Sequence, residues 1–160
     1  MKYWWIIIFV LCAVPNVGAE DVVEDSPSHR HHFSVGFLDH RTGMSLASYS
    51  RTLLANESHE LFVGVGSVLA MTTLAVGWKF YAFHYYVDFY CVVAGHAAAG
   101  MSDKILVAPF ASLGIELGIT DDYFLNVGVN NTLRLYVKDF KMYRDPELVV
   151  FPHASVTHRW

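Results

Sequence analysis

The residues able to do chemistry are few and sit at every second position. His153 and Ser155 are separated by one alanine, so an extended strand would present an imidazole and a hydroxyl on one face, the base and nucleophile of an acyl-ester hydrolysis. Such a serine also needs an acid to orient its base, which Glu116 or Glu147 would have to supply through the fold. His96 and Ser112 are the further base and hydroxyl candidates, against the plainer reading of hydrogen-bonded strand fillers. A second set is Lys79, Asp88, Glu116, Asn126, Asn130, Arg134 and Arg159, polar side chains embedded among apolar ones and read as binding or mutually neutralising groups. No cofactor is called for. The cluster His29-Arg30-His31-His32 at a chain terminus is not read as a metal site.

The elements that must position these groups have a two-residue period. With 54% hydrophobic, 15% aromatic and only 16% charged residues, the chain is more apolar than an ordinary soluble domain, and its 160 residues suit one domain. Eight alternating runs fall at about residues 32–38, 44–53, 60–69, 74–83, 86–96, 107–117, 123–137 and 147–160. The seventh is the clearest: Leu125, Val127, Val129, Leu133, Leu135 and Val137 oppose Asn126, Gly128, Asn130, Thr132, Arg134 and Tyr136, a separation that no helix produces. The second run has no assignable faces. Short polar or Gly-containing breaks between runs complete the pattern of an all-β, eight-stranded antiparallel up-and-down transmembrane barrel.

Two other readings compete. Residues 61–78 carry no charge over eighteen positions and could cross a bilayer as a helix. Asp88, Glu116, Asn126, Asn130 and Arg134 in the following segments argue for strands, since each is costly in lipid but cheap on an enclosed face. A soluble lipocalin-like barrel is the third reading.

Hairpin geometry predicts that Lys79 faces Asp88 across the fourth and fifth strands, and that Glu116, Asn126 and Arg159 meet near one end of the sixth, seventh and eighth. The plain consequence is mutual neutralisation in a lumen too narrow for bulk water; an ion path is the sharper alternative. Pro109 and Pro152 predict local bulges. Trp78, Phe80, Tyr123, Tyr143 and Trp160 suit interfacial girdles. The breaks at residues 39–43, 70–73, 97–104 and 138–146 are short. The last, mixing charge with aromatics, is the segment expected to touch lipopolysaccharide or a partner.

Residues 1–19 combine Lys2, an apolar run and small residues at Val17 and Ala19, the pattern of a cleaved signal peptide, and residues 20–31 form an acidic leader. Leu11 before Cys12 is too large for lipoprotein processing, and Cys91 alone cannot form an internal disulfide. After cleavage ten basic residues stand against fifteen acidic ones, which argues against nucleic acid as a partner. The barrel domain is residues 32–160.

Over nearly all of that domain the chain resembles the superfamily of small outer-membrane β-barrels, whose closing strand commonly ends in Phe or Trp, as here with Ala154, Val156 and Trp160 on one face. The resemblance implies an outer-membrane monomer, inserted by the barrel assembly machinery and surrounded by outer-membrane lipid or lipopolysaccharide. The stretch from Ala94-Gly95 to Leu113-Gly114, above all Ala108-Pro109-Phe110-Ala111-Ser112-Leu113-Gly114, resembles the lipid A palmitoyltransferase family. That implies an interior acyl pocket, which lumen-side Gly64, Gly66, Gly77, Gly114 and Gly128 could open or could simply yield to neighbouring rings. No catalytic residue carries over, because Asp25-Ser26 and Ser102-Asp103 are the only Ser-Asp neighbours, one in the leader and one reversed. His153-Ala154-Ser155 resembles the His-x-Ser element of the outer-membrane lipid A deacylases, with Val156 where that family has Asn. The leading expectation is therefore a non-enzymatic barrel with a structural or surface-interaction role, and the alternative an enzyme modifying lipid A acyl chains.

Overall fold

In the computed structural model the described residues are 30–160, apart from 57, 70, 84–86, 101–104, 139–140 and 143–146 and the side chains at 83, 106, 133–138, 141–142 and 147–148. The expected signal peptide and most of the leader lie outside them. The strands are β1 (His31–Phe37), β2 (Ala47–Ala55), β3 (His59–Val68), β4 (Met71–Phe83), β5 (Val87–Ala99), β6 (Ile105–Gly118), β7 (Tyr123–Lys138), the two-residue β8 (Lys141–Met142) and β9 (Glu147–Arg159). Every pairing is antiparallel between chain neighbours, β8 only extends the β7–β9 hairpin, and β1 pairs with β9. Eight long strands thus close into a barrel, and the helical reading is overturned: among the described residues no helix is long and apolar enough to cross a membrane.

The ladder fixes the width of the barrel. Partners followed from His31 run through Arg51, Val63, Val76, Gly95 and Pro109, then across β7 to Leu148. His31 itself exchanges backbone hydrogen bonds with Trp160, twelve residues further along β9. A shear of twelve on eight strands means steep tilt and a wide cross-section. The lumen therefore needs more filling than strand side chains alone supply.

The two sides of the wall have opposite chemistry. Phe33, Val35, Phe37, Leu74, Val76, Phe89, Leu113, Val127 and Val129 are exposed on the outside. Of the buried residues among those described, twenty-one are polar or charged and eight are hydrophobic, so the interior is the polar side. The apolar minority, Phe62, Tyr90, Val92, Ala94 and Phe110, forms a patch on the β3, β5 and β6 walls.

Several sequence expectations are corrected. Met44 is not strand, and β2 starts at Ala47, with Ser48, Ser50 and Thr52 inside and Tyr49 and Arg51 outside. His31 belongs to β1 rather than to a leader. Ala97–99 and residues 72–73 extend β5 and β4 instead of forming loops. Neither proline makes a bulge. The register is constant through Pro109, where its missing N–H only interrupts the β6–β7 ladder. Pro152 lies beyond Ala154, the last β9 partner of β1, on a stretch of β9 edge that Pro protects from further pairing. The bulges fall instead at Thr52/Leu54 and Tyr81/Phe83.

Candidate functional site

The centre of the molecule is a segment expected to be an outer loop. β1 stops after seven residues, whereas β4 to β7 run for thirteen to sixteen, so one part of the wall is low at the end opposite Arg30 and Trp160. There Leu38 adopts φ +63°, a conformation costly for a branched side chain, and turns the chain inward. Asp39, His40, Arg41, Thr42 and Ser45 are all buried. Gly43, at φ +70°, allows the return, and Leu46 rejoins the wall through hydrogen bonds with Gly36 and Ser67.

Asp39 organises this plug. Its Oδ2 accepts hydrogen bonds from the Thr42 amide (2.9 Å) and hydroxyl (2.9 Å), the Arg41 amide (3.2 Å) and the Ser48 hydroxyl (3.0 Å). Asn130 Nδ2 donates to the Asp39 carbonyl at 3.2 Å, tying the plug to β7. Small residues on β2 and β3 give it room. A Cβ on Gly66 would lie 2.5 Å from that of Ser45, and one on Gly64 would lie 2.9 Å from Cγ2 of Thr42. Arg41 reaches Glu60, which also accepts from Tyr81 Oη at 2.7 Å, and its guanidinium lies over the Phe62 ring at 5.1 Å.

His40 hangs beside a second charge cluster. Its Nδ1 lies 3.3 Å from Asp39 Oδ1, and Lys79 Nζ donates to its Nε2 at 3.3 Å. Burial, with the Lys79 ammonium next in effect, holds the imidazole below its ordinary range against the opposing influence of Asp39. Lys79 also donates to Glu116 Oε2 at 2.7 Å, and Arg159 approaches the same oxygen at 2.5 Å. Lys79 and Glu116 are essentially inaccessible. Three cations (Arg41, Lys79, Arg159) and three carboxylates (Asp39, Glu60, Glu116) therefore neutralise one another inside the barrel, the arrangement buried charge requires.

Above this lies a polar pair made possible by two glycines. Tyr90, Gly114, Gly128 and His153 are direct ladder neighbours on β5, β6, β7 and β9. With no side chains between them, Tyr90 Oη and His153 Nε2 meet across the gap at 2.7 Å. The His40 ring stands 5.0 Å from Tyr90 and 6.2 Å from His153, so the plug covers the pair.

The sequence candidates fall into place as follows. Lys79 does not face Asp88. The β4–β5 register is centred near residue 86 rather than at Phe83-His84, which puts Val92 opposite Lys79; Lys79 crosses the lumen to Glu116, while Asp88 stands opposite Glu116 on the β5–β6 ladder. Glu116, Asn126 and Arg159 do converge: Asn126 is the ladder partner of Glu116 and donates to Thr157 at 3.1 Å. Arg134 occupies the β7 position opposite Glu147. His153 and Ser155 are both buried on the lumen face of β9, but Nε2 of His153 is bonded to Tyr90. Ser112 is buried opposite Asn130, and His96 is buried against Phe110 at 5.4 Å. Tyr143 lies outside the described residues. Sequence reasoning missed Asp39, His40, Arg41 and Thr42; the available signal was the small lumen face of Ser48, Ser50, Gly64 and Gly66, a cavity in need of an occupant. No protein-family model, curated protein or solved structure matches the chain.

Proposed function

We propose that the protein is an integral outer-membrane barrel with a structural or surface-interaction role, its Arg30 and Trp160 end toward the periplasm and its low β1–β2 wall toward the outside. The inversion of the two faces carries this reading. A soluble barrel of the lipocalin kind hides apolar side chains and wets polar ones, whereas here the polar set is inside and Phe, Val and Leu are outside, as hydrocarbon surroundings demand. A lumen filled by the plug and its neutralised charges supports a structural barrel ahead of a pore. The bond that engages His153, with no carboxylate bonded to that imidazole among the described residues, favours it over acyl-ester chemistry.

Electrophoresis in dodecyl sulfate with and without boiling, after sucrose-gradient fractionation of envelopes, tests the proposal. The folded chain should migrate faster unboiled and sediment with the outer membrane. Recovery from the soluble fraction without detergent would refute it. Lipid A from cells with and without the protein should give identical mass spectra; a gained or lost acyl group would replace the structural role with an enzymatic one.

A further inference from the structure

Among the described strand residues, the outward-facing positions hold a single formal charge, Arg51. Glu60, Lys79, Asp88, Glu116 and Arg159, the other charged residues on strands whose side chains are described, occupy the lumen parity. Arg51 is exposed, between Tyr49 and Leu53 on β2 and between His31 and Val63 as ladder partners. No hydrogen bond or ion pair joins its guanidinium to another described residue.

Its surroundings are specific. His31 Nδ1 and Tyr49 Oη share a hydrogen bond of 2.6 Å, the His31 ring stacks on Trp160 at 5.8 Å, and His158 stacks on Trp160 at 5.1 Å. Arg51 thus lies at the edge of a row of rings at the terminus end of the barrel. Among the described residues, Asp121 and Asp122 at this end sit in the β6–β7 turn that precedes Tyr123. A bare cation facing hydrocarbon is disfavoured; one at headgroup depth, framed by Trp and Tyr, is satisfied by an anion there.

Resting on the membrane reading above, we infer that Arg51, with His31 and Tyr49, forms a site for the headgroup phosphate of an anionic phospholipid in the leaflet at the terminus end. The guanidinium fork matches phosphate oxygens, and Tyr49 offers a hydroxyl.

The test uses the full mature chain folded into dilauroylphosphatidylcholine vesicles with and without dilauroylphosphatidylglycerol, then released gently for native mass spectrometry. Wild type should retain phosphatidylglycerol in preference to phosphatidylcholine. Arg51→Gln should lower that retention about fivefold, the order expected for one basic residue at an anionic surface, and Arg51→Lys should keep most of it. Unboiled gel mobility identifies the inserted protein in each case. Equal retention by wild type and Arg51→Gln, or no preference in wild type, would overturn the site while leaving the membrane reading standing. Failure of wild type to insert into either vesicle would overturn both.

Discussion

Replacing Glu116 by Gln keeps the shape of the lumen and removes one charge. The carboxylate lies 2.7 Å from Lys79 Nζ and 2.5 Å from the Arg159 guanidinium, with Lys79 and Glu116 sealed from solvent. At 2.7 Å, a pair of unit charges attracts by about 6 kcal/mol at an effective dielectric of 20 and by about 1.5 kcal/mol in bulk water. Desolvation offsets much of the first figure in the intact pair, but it remains in full for Lys79 and Arg159 once their counter-charge is gone. Glu116→Gln is therefore expected to cost about 3–5 kcal/mol. Lys79→Met combined with Glu116→Gln restores lumen neutrality and should recover more than half of that loss, a coupling of roughly 2 kcal/mol or more. Urea unfolding in detergent micelles, followed by loss of the fast-migrating unboiled species, measures both variants. The opposite outcome is well defined: if the lumen held a water-filled path, the cluster would be screened, Glu116→Gln would cost less than about 1 kcal/mol, and the two substitutions would simply add.

The remaining predictions use the same gel assay or the same unfolding titration. Gly128→Ala should prevent formation of the folded species, because its Cβ would lie 2.1 Å from the Leu113 carbonyl oxygen and 2.6 Å from Gly114 Cα, backbone atoms that cannot yield, whereas Gly95→Ala, with nothing within 4 Å, should change stability by less than about 0.5 kcal/mol. Leu69 is 94% exposed at φ +52°, so Leu69→Gly should stabilise the barrel by about 1 kcal/mol through relief of the left-handed strain; a destabilised variant would contradict that account. Asp39→Ala removes the acceptor of four hydrogen bonds within the plug and should expose residues 38–46 to protease while the strands stay protected; an uncut segment would show that the plug is held mainly by Arg41 and Asn130.

Residues 123–137 carried the fold in plain view because hydrocarbon on one side and an enclosed interior on the other force opposite side-chain chemistry at alternate positions. The same physics left β2 unreadable. Its inward set, Ser48, Ser50 and Thr52, is small and polar, its outward set includes Tyr49 and Arg51, and a bulge after Thr52 puts both Leu53 and Leu54 on the exposed side. The pairing of Lys79 was misread for a related reason. A hairpin sum depends on the turn centre, and the β4–β5 register is centred two residues beyond Phe83-His84 without any signal in polarity, the Tyr81/Phe83 bulge changing the sum by only one. The convergence of Glu116 with Arg159 survived because β6, β7 and β9 keep constant registers throughout.

The plug was hidden for a deeper reason, since Asp39-His40-Arg41-Thr42-Gly43 has the composition of any solvated loop. Only the dimensions of the barrel make its burial necessary. A shear of twelve widens the lumen, and the β2–β3 wall lines it with Ser48, Ser50, Gly64 and Gly66, too little volume to fill the space beside Phe62 and Tyr90. Water filling that volume would leave Lys79 and Glu116 facing solvent; instead the chain lends nine residues from beyond the short β1, and these bring Asp39 and Arg41 into the shared charge balance. The low wall and the filled interior then have one cause. Residues that would have extended β1 and β2 to the height of β4 are the residues that occupy the centre, so restoring wall height by substituting strand-forming residues at 38–46 would empty the lumen and leave Glu60 and Asn130 without the partners the plug gives them.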